Sequence, residues 1–215
     1  MIVPSEYEDI IKLLIVGDSQ VGKTNFISQF IEGKFDYNYK PSEGFDNKTS
    51  LLKLKHDKKI KLQIWDSKGD EKDLSLNRSL FLKVQGIIVM YDITNQDSFD
   101  HVENWIKYIK NVNDNIPIIL VANKCDSDER IVTEKEGNNL AIKYNFTFVE
   151  ASGKNNINVK TTFVKISEEV IRRAEIRMNS MDSDLNFIEY DNKPSYLREL
   201  IPYKDKRKNK KCCCC

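Results

Sequence analysis

Hydrophobic and polar positions repeat along the chain with two different periods, and together they predict an α/β fold. Apolar runs and alternating apolar positions predict six strands, at residues 10–16, 51–54, 60–65, 86–91, 116–122 and 146–149. Helical spacing predicts helices at residues 25–31, 99–112 and 159–173, and Thr133 with Glu136 forms a capping-box pattern before a further helix. The order predicts a mostly parallel six-stranded sheet with helices on both faces.

The same patterns divide the chain into a domain and a tail. They continue to about residue 178, which predicts one domain of ordinary size over residues 1–178. They fade over residues 179–215, which favours a flexible tail, with a helix docked around residues 195–201 as the alternative. The formal net charge is +1, so charge gives no general attraction to nucleic acid, and none is expected as a partner.

The loop after the first predicted strand has the composition of a phosphate-binding loop. It fits the pattern G-x-x-x-x-G-K-[ST] between a strand and a helix. Its glycines let backbone N–H groups surround a phosphate, Lys23 reaches the β- and γ-phosphates, and Thr24 offers a hydroxyl to Mg²⁺. The predicted ligand-binding residues are Gly17, Asp18, Ser19, Gln20, Val21, Gly22, Lys23 and Thr24.

A second motif, Asp-x-x-Gly, follows the third predicted strand. Asp66 suits the Mg²⁺ side of a phosphate site, and the N–H of Gly69 can approach the γ-phosphate where a side chain would obstruct. Alone, this motif is a common turn. With the phosphate loop upstream, it predicts that Asp66 and Gly69 contact the metal and the nucleotide.

Two further motifs predict that the bound base is guanine. The carboxylate of Asp126 can accept hydrogen bonds from the N1–H and 2-amino group of guanine, a donor pair that adenine lacks. Asn123 can bond the base N7, and the Lys124 stem can cover the base plane. The remaining predicted base contacts are Ser152, Gly153 and Lys154. Phe35 is also predicted to contact the base, with a small local core contact as the alternative.

These motifs, in this order, resemble those of the Rab-type small GTPases of the Ras superfamily, over about residues 10–173. The segment 86–94, Trp105 and the terminal cysteines favour the Rab type. The resemblance implies a P-loop NTPase fold and a GTP/GDP switch that regulates vesicle traffic. It also implies exchange factors that load GTP, activating proteins that trigger hydrolysis, and effectors that bind the GTP form.

The chain departs from the family at positions that would contact Mg²⁺ and partners. Ser42 stands where the family has threonine, and it keeps the hydroxyl expected to bind Mg²⁺. Because neighbouring positions also differ, no particular Rab partner can be assigned. The residues through which partners are expected to bind are Tyr39, Ser42, Glu43, Phe45, Asn47, Trp65 and Leu80.

The departure with the largest chemical consequence is Asp70, which stands where the family has a glutamine that positions water and donates to the transition state. Ionised Asp70 cannot donate a hydrogen bond, and it adds negative charge beside the γ-phosphate. Hydrolysis is therefore predicted to be slow, with Asp70, Lys23 and Gly69 as the catalytic residues. Lys68 either neutralises Asp70, contacts the γ-phosphate, or is a solvated surface lysine.

The tail ends in a basic run, residues 204–211, followed by four cysteines, residues 212–215. Four adjacent cysteines cannot wrap a tetrahedral zinc ion as separated pairs do. The resemblance implies prenyl groups on Cys214 and Cys215, with Cys212 as the alternative. Two lipids, or one lipid with a basic patch, suffice for stable anchoring. The prediction is a monomer on the cytoplasmic face of a cell or organelle membrane, with a soluble cytosolic pool.

Three functions compete on these observations. The first is a membrane-anchored switch that hydrolyses GTP slowly, and the second is a GTP-loaded binding scaffold that has effectively lost catalysis. The third, an ATP-using phosphotransferase on the same loop, fails on Asn123 and Asp126, which match guanine rather than adenine. Single-turnover GTP hydrolysis separates the first two.

Overall fold

The structure, a computed structural model, describes residue 7 and residues 9–37, 46–67 and 78–184. The strands are β1 (Asp9–Val16), β2 (Asp46–Lys53), β3 (Lys59–Asp66), β4 (Gly86–Asp92), β5 (Ile118–Asn123) and β6 (Thr147–Glu150). The helices are α1 (Lys23–Glu32), α2 (Arg78–Lys83), α3 (Gln96–Asp100), α4 (Val102–Val112), α5 (Glu134–Tyr144) and α6 (Val159–Asp184).

The strands form one sheet in the order β2-β3-β1-β4-β5-β6. Among the described strands, the β2–β3 pair is antiparallel, and the four other pairs are parallel. This arrangement confirms the predicted α/β class and the mostly parallel six-stranded sheet. It also brings the carboxyl ends of the parallel strands to one edge, where such sheets bind their ligands.

The central strand β4 is buried along its whole length because helices cover both faces of the sheet. Its successive side chains point to opposite faces. Ile88 and Met90 join an apolar cluster with Phe26 of α1 and residues of α6, whereas Val89 and Tyr91 join a second cluster with residues of α4 and α5. A continuous apolar run, rather than an alternating one, is what burial on two faces requires.

Several elements differ from the sequence prediction at their ends. Strand β2 begins at Asp46, five residues before the predicted start, because its exposed positions there are polar and carry no apolar alternation. Strand β5 begins at Ile118 instead of residue 116, because Pro117 precedes it and lacks an N–H to donate. Helix α6 continues to Asp184, past the predicted end at residue 173. The six-residue helix α2 was not predicted.

The helix predicted over residues 99–112 is two helices. Helix α3 ends at Asp100 and α4 starts at Val102, with His101 between them. The side-chain oxygen of Asn95 accepts a hydrogen bond from the Ser98 N–H and so caps the start of α3. Helix α3 therefore begins before the apolar positions that predict the helix.

The capping box predicted before α5 is present. Thr133 Oγ1 accepts from the Glu136 N–H at 3.3 Å, and Glu136 Oε2 accepts from the Thr133 N–H at 2.8 Å. Across the described residues, the helices are too short or too polar to cross a bilayer.

Candidate nucleotide-binding site

A cleft of about 510 Å³ lies at the carboxyl edge of the sheet, lined by the loops that follow β1, β5 and β6 and by Phe35. This volume is in the range of small-ligand sites. Three of the four sequence motifs converge here. The predicted ligand residues that line the cleft are Gln20, Gly22, Lys23, Thr24, Phe35, Asn123, Lys124, Asp126, Gly153 and Lys154.

Two glycines set the shape of the loop between β1 and α1. Gly17 has φ of +142°, and a Cβ there would lie 2.0 Å from the backbone oxygen of Met90. Gly22 has φ of +98°, and a Cβ there would lie 2.5 Å from the side-chain amide nitrogen of Asn123. Side chains at either position would push the loop away from the sheet edge.

Lys23 crosses this loop from the first turn of α1. Its Nζ donates to the carbonyl oxygens of Gly17 at 2.8 Å and Asp18 at 2.6 Å. Burial lowers the pKa of Lys23 to about 8, although the nearby Asp66 and Asp18 carboxylates raise it again. The side chain is only 5% exposed, and the cleft is its opening to solvent. An anionic phosphate in that cleft would be the natural charge partner for the ammonium group.

Thr24 and Asp66 form the part of the site suited to a cation. Thr24 Oγ1 donates to Asp66 Oδ2, and the other carboxylate oxygen of Asp66 is buried with no hydrogen-bond partner among the described residues. Burial raises the pKa of Asp66, opposed by the hydrogen bond from Thr24 and the charge of Lys23. A buried hard oxygen without a partner, beside a hydroxyl, fits Mg²⁺.

Asn123 does more than the sequence predicted. Its Nδ2 donates to the Val21 carbonyl oxygen at 2.8 Å, and its Oδ1 accepts from the Gly153 N–H at 3.2 Å. The side chain therefore joins the phosphate loop to the loop after β6. The predicted contact of Asn123 with the base N7 stays a prediction, and so does the predicted contact of Gly153 with the base.

Asp126 presents the feature that a base-reading carboxylate requires. Its Oδ1 is buried and has no hydrogen-bond partner in the described part of the chain, and the residue lines the cleft. Lys124, two residues earlier, adopts φ of +65°, and its Nζ lies 2.5 Å from Asp92 Oδ2. This ion pair holds the lysine stem along the wall of the cleft.

Of the predicted ligand residues that the structure describes, six do not line the cleft: Gly17, Asp18, Ser19, Val21, Asp66 and Ser152. Ser152 is fully buried, and its hydroxyl accepts from the Asn155 N–H at 2.9 Å, which closes the turn after β6. The carboxylate of Asp18 contacts His101 and Trp105. Binding by the backbone N–H groups of the phosphate loop stays a prediction.

Asn25 and Ser127 line the cleft but were not predicted. The side chain of Asn25 makes two hydrogen bonds to the backbone of Asp36. Its Nδ2 donates to the carbonyl oxygen at 3.0 Å, and its Oδ1 accepts from the N–H at 3.4 Å. This contact positions Phe35, whose ring meets Tyr37 edge-on at 5.0 Å. No local pattern predicts the contact, because it joins the first turn of α1 to the segment beyond its last turn. Ser127 directly follows Asp126, the last residue of the predicted base-binding motif. This position next to the motif is the sequence feature that could have predicted Ser127 as part of the site.

The remaining predicted site residues lie outside the described residues. They are Ser42, Lys68, Gly69, Asp70, the partner-binding residues Tyr39, Glu43 and Phe45, and the cysteines Cys212, Cys214 and Cys215. Of the predicted partner surface, the described members are Asn47, Trp65 and Leu80. Asn47 pairs with Trp65 across the β2–β3 ladder, and Trp65 and Leu80 pack on the same apolar cluster.

Comparisons with known proteins identify the family. A family model for the Ras family matches residues 12–172. Human Ras-related protein Rab-3A is 38% identical over 178 residues, which cover 82% of this chain and 80% of that protein. Ras-related protein Rab-8B of Bos taurus is 37% identical over 82% of this chain and 86% of its own length. The GTP-binding protein Rab-3D of Rattus norvegicus is 41% identical over 74% of each chain.

The chain therefore belongs to the Ras family. Within that family it is a Rab-type small GTPase, the class of GTP/GDP switches that act in vesicle traffic. The resemblance found in the sequence motifs is confirmed.

Proposed function

We propose that this protein is a membrane-anchored GTP/GDP switch of vesicle traffic that binds guanine nucleotides in the cleft and hydrolyses GTP slowly. The observation that carries the proposal is the buried Asp126 carboxylate oxygen, which has no hydrogen-bond partner among the described residues and lies in the same cleft as Lys23. A carboxylate buried without a donor is costly unless a ligand supplies one. The N1–H and 2-amino group of guanine supply two.

Competition binding tests this proposal directly. The full-length protein is loaded with a fluorescent GDP, which is then displaced with GTP, GDP or ATP. GTP and GDP should displace the probe at far lower concentrations than ATP, because adenine leaves the Asp126 charge unmatched. Equal displacement by ATP would mean that the cleft does not select the base.

In the proposed mechanism, the two ends of the nucleotide are held by different loops. The loop at residues 17–24 surrounds the phosphates with backbone N–H groups, and Lys23 exchanges its intraloop contacts for phosphate oxygens. Asn123, by joining the two loops, fixes the distance between the phosphate and base ends of the cleft. Phe35 and Lys154 contact the base from its sides.

Mg²⁺ would be held by Thr24, Asp66 and, outside the described residues, Ser42. When bound, it would neutralise charge on the β- and γ-phosphates. Asp66 would supply a carboxylate ligand, and Thr24, whose hydroxyl donates to Asp66 Oδ2, would orient that carboxylate.

In Thr24→Ala, the ratio of GTP affinity with Mg²⁺ to GTP affinity with a chelator should fall by about tenfold, because one oxygen ligand is lost. Thr24→Ser keeps the hydroxyl and should behave as the wild type. The measurement is GTP affinity with Mg²⁺ and with a chelator for all three proteins. A wild type whose GTP affinity is the same in both conditions would remove the metal role of Thr24, Ser42 and Asp66.

The proposed catalytic residues are Lys23, Gly69 and Asp70, and the slow rate follows from Asp70. A carboxylate in place of the family glutamine removes a donor from the transition state. The second candidate, a GTP-loaded scaffold without catalysis, rests on this same substitution. Single-turnover decay of bound GTP decides between them, since a scaffold shows decay no faster than that of free GTP in the same buffer.

The proposed anchor is the tail, with prenyl groups on Cys214 and Cys215, or on Cys212 instead, beside the basic run at residues 204–211. The residues at 1–178 would form the switch domain, acting as a monomer. Exchange factors, activating proteins and effectors would bind through Tyr39, Ser42, Glu43, Phe45, Asn47, Trp65 and Leu80.

Deleting residues 212–215 should move most of the membrane-bound protein to the supernatant in fractionated cells, because the lipids are lost. Neutralising the basic run should weaken attachment by about 1 kcal/mol per residue removed near an anionic leaflet. Mass spectrometry of the intact C-terminus identifies the modified cysteines. An unmodified tail on membrane-bound protein would contradict lipid anchoring and point to a protein receptor.

A further inference from the structure

An acidic side chain within the phosphate loop is held by two donors at the start of α4. His101 Nδ1 lies 2.6 Å from Asp18 Oδ2, and Trp105 Nε1 donates to Asp18 Oδ1 at 3.0 Å. His101 and Trp105 are one helical turn apart, and the backbone N–H of Trp105 donates to the backbone carbonyl oxygen of His101 at 3.2 Å. Both side chains therefore lie on one face of the helix and meet the two oxygens of one carboxylate.

Trp105 is the buried member of this contact, and the other two groups are partly exposed. Trp105 is only 1% exposed, so its indole N–H has no access to water and needs a protein acceptor. The Asp18 side chain is 21% exposed and that of His101 is 46% exposed. Freed from both donors, the partly exposed Asp18 carboxylate would be able to adopt other rotamers, and it belongs to the loop whose later residues, from Gln20 onward, line the cleft.

Charge makes the direction of that side chain important. The Asp18 carbonyl oxygen accepts from Lys23 Nζ at 2.6 Å, so the carboxylate belongs to a residue that contacts the phosphate-binding lysine. A carboxylate turned toward the cleft would repel nucleotide phosphates and compete with them for Lys23. GTP carries one phosphate more than GDP, so the repulsion would act more strongly on GTP.

We propose that His101 and Trp105 are positioning residues that hold the Asp18 carboxylate on the α4 side of the phosphate loop, and that this contact sets the relative affinity for GTP and GDP. The proposal rests on the guanine-nucleotide function proposed above. It assigns to the α3–α4 junction a part in nucleotide preference that neither the sequence motifs nor the cleft lining indicate.

The test uses full-length protein and substitutions that remove one donor each. Trp105→Phe removes the indole N–H and leaves a smaller aromatic ring, and His101→Leu removes the ring nitrogens. Each should lower the ratio of GTP to GDP affinity by about three- to tenfold, the size expected for one added like-charge interaction at a partly screened distance. His101→Asn restores a short donor and should return the ratio toward that of the wild type.

The decisive comparison repeats Trp105→Phe and His101→Leu in an Asp18→Ala protein, where no carboxylate remains to be held. There, neither change should alter the GTP to GDP ratio. Ile109→Val, a core substitution in the same helix at a side chain with no polar atom to bond Asp18, controls for lost stability. It should lower the melting temperature and leave the ratio unchanged.

Two results overturn the proposal: equal weakening of GTP and GDP by Trp105→Phe and His101→Leu, or the same change of ratio with and without Asp18. Either one would reduce the contact to a packing role. If the wild-type protein bound neither nucleotide, both the proposed function and this inference would be overturned. That result differs from the first two because no ratio of GTP to GDP affinity could then be measured.

Discussion

Replacing Asp126 with asparagine should weaken GTP binding by about two to four orders of magnitude, because two hydrogen bonds to a charged acceptor are worth roughly 3–6 kcal/mol together. The same change should admit xanthosine triphosphate. Xanthine carries a carbonyl where guanine carries the 2-amino group, and the asparagine amide can donate to it. The buried Oδ1 of Asp126 has no partner among the described residues, so the loss falls on ligand binding rather than on an internal contact.

Equilibrium competition with GTP, xanthosine triphosphate and ATP measures the effect. The matched control is Asp128→Asn, which removes the same charge two residues away at an exposed position outside the cleft lining. It should leave all three affinities within about a factor of two, since surface charges contribute little. If Asp126→Asn left GTP affinity unchanged, guanine would be recognised by other residues.

Features that depend on local sequence were predictable. The phosphate loop is contiguous, and its glycines are needed for backbone conformation, as the φ of +98° at Gly22 shows. The capping box before α5 is equally local, and so are the apolar runs of β1, which contains one lysine, and of β4. Strand β2 was underestimated because an edge strand with an exposed face is defined by its pairing with β3, not by its own apolar content.

Contacts between distant segments were not predictable from motifs. Asn123 was expected to contact only the base, yet it bonds Val21, 102 residues earlier. Asp18 was expected to contribute to nucleotide binding, yet its carboxylate bonds Trp105, 87 residues later. In each case the motif identifies a residue that the site needs, and the fold decides which of its atoms remain available to a ligand.

Replacing Asp70 with glutamine should accelerate single-turnover GTP hydrolysis by about ten- to hundredfold, at or below the lower end of the roughly hundred- to thousandfold that one well-placed transition-state donor contributes. A tenfold gain is about 1.4 kcal/mol of barrier. The added amide can donate a hydrogen bond and orient water, and the substitution removes the negative charge that is expected beside the γ-phosphate. The matched control is Asp70→Asn, which removes the charge but is a methylene shorter. It should recover only the electrostatic part of the gain.

The proposed slowing of hydrolysis by Asp70 would be reduced in the wild type if Lys68 acts on the same charge. If Lys68 neutralises Asp70 or contacts the γ-phosphate, Lys68→Ala should slow the wild type further. If it is a solvated surface lysine, the rate should not change. The double mutant separates these cases: pairing with Asp70 predicts that Lys68→Ala has no effect once residue 70 is glutamine, whereas contact with the γ-phosphate predicts that the loss persists. A rate that stays the same or falls in Asp70→Gln would mean that this protein hydrolyses GTP with an arrangement of groups that differs from its family's.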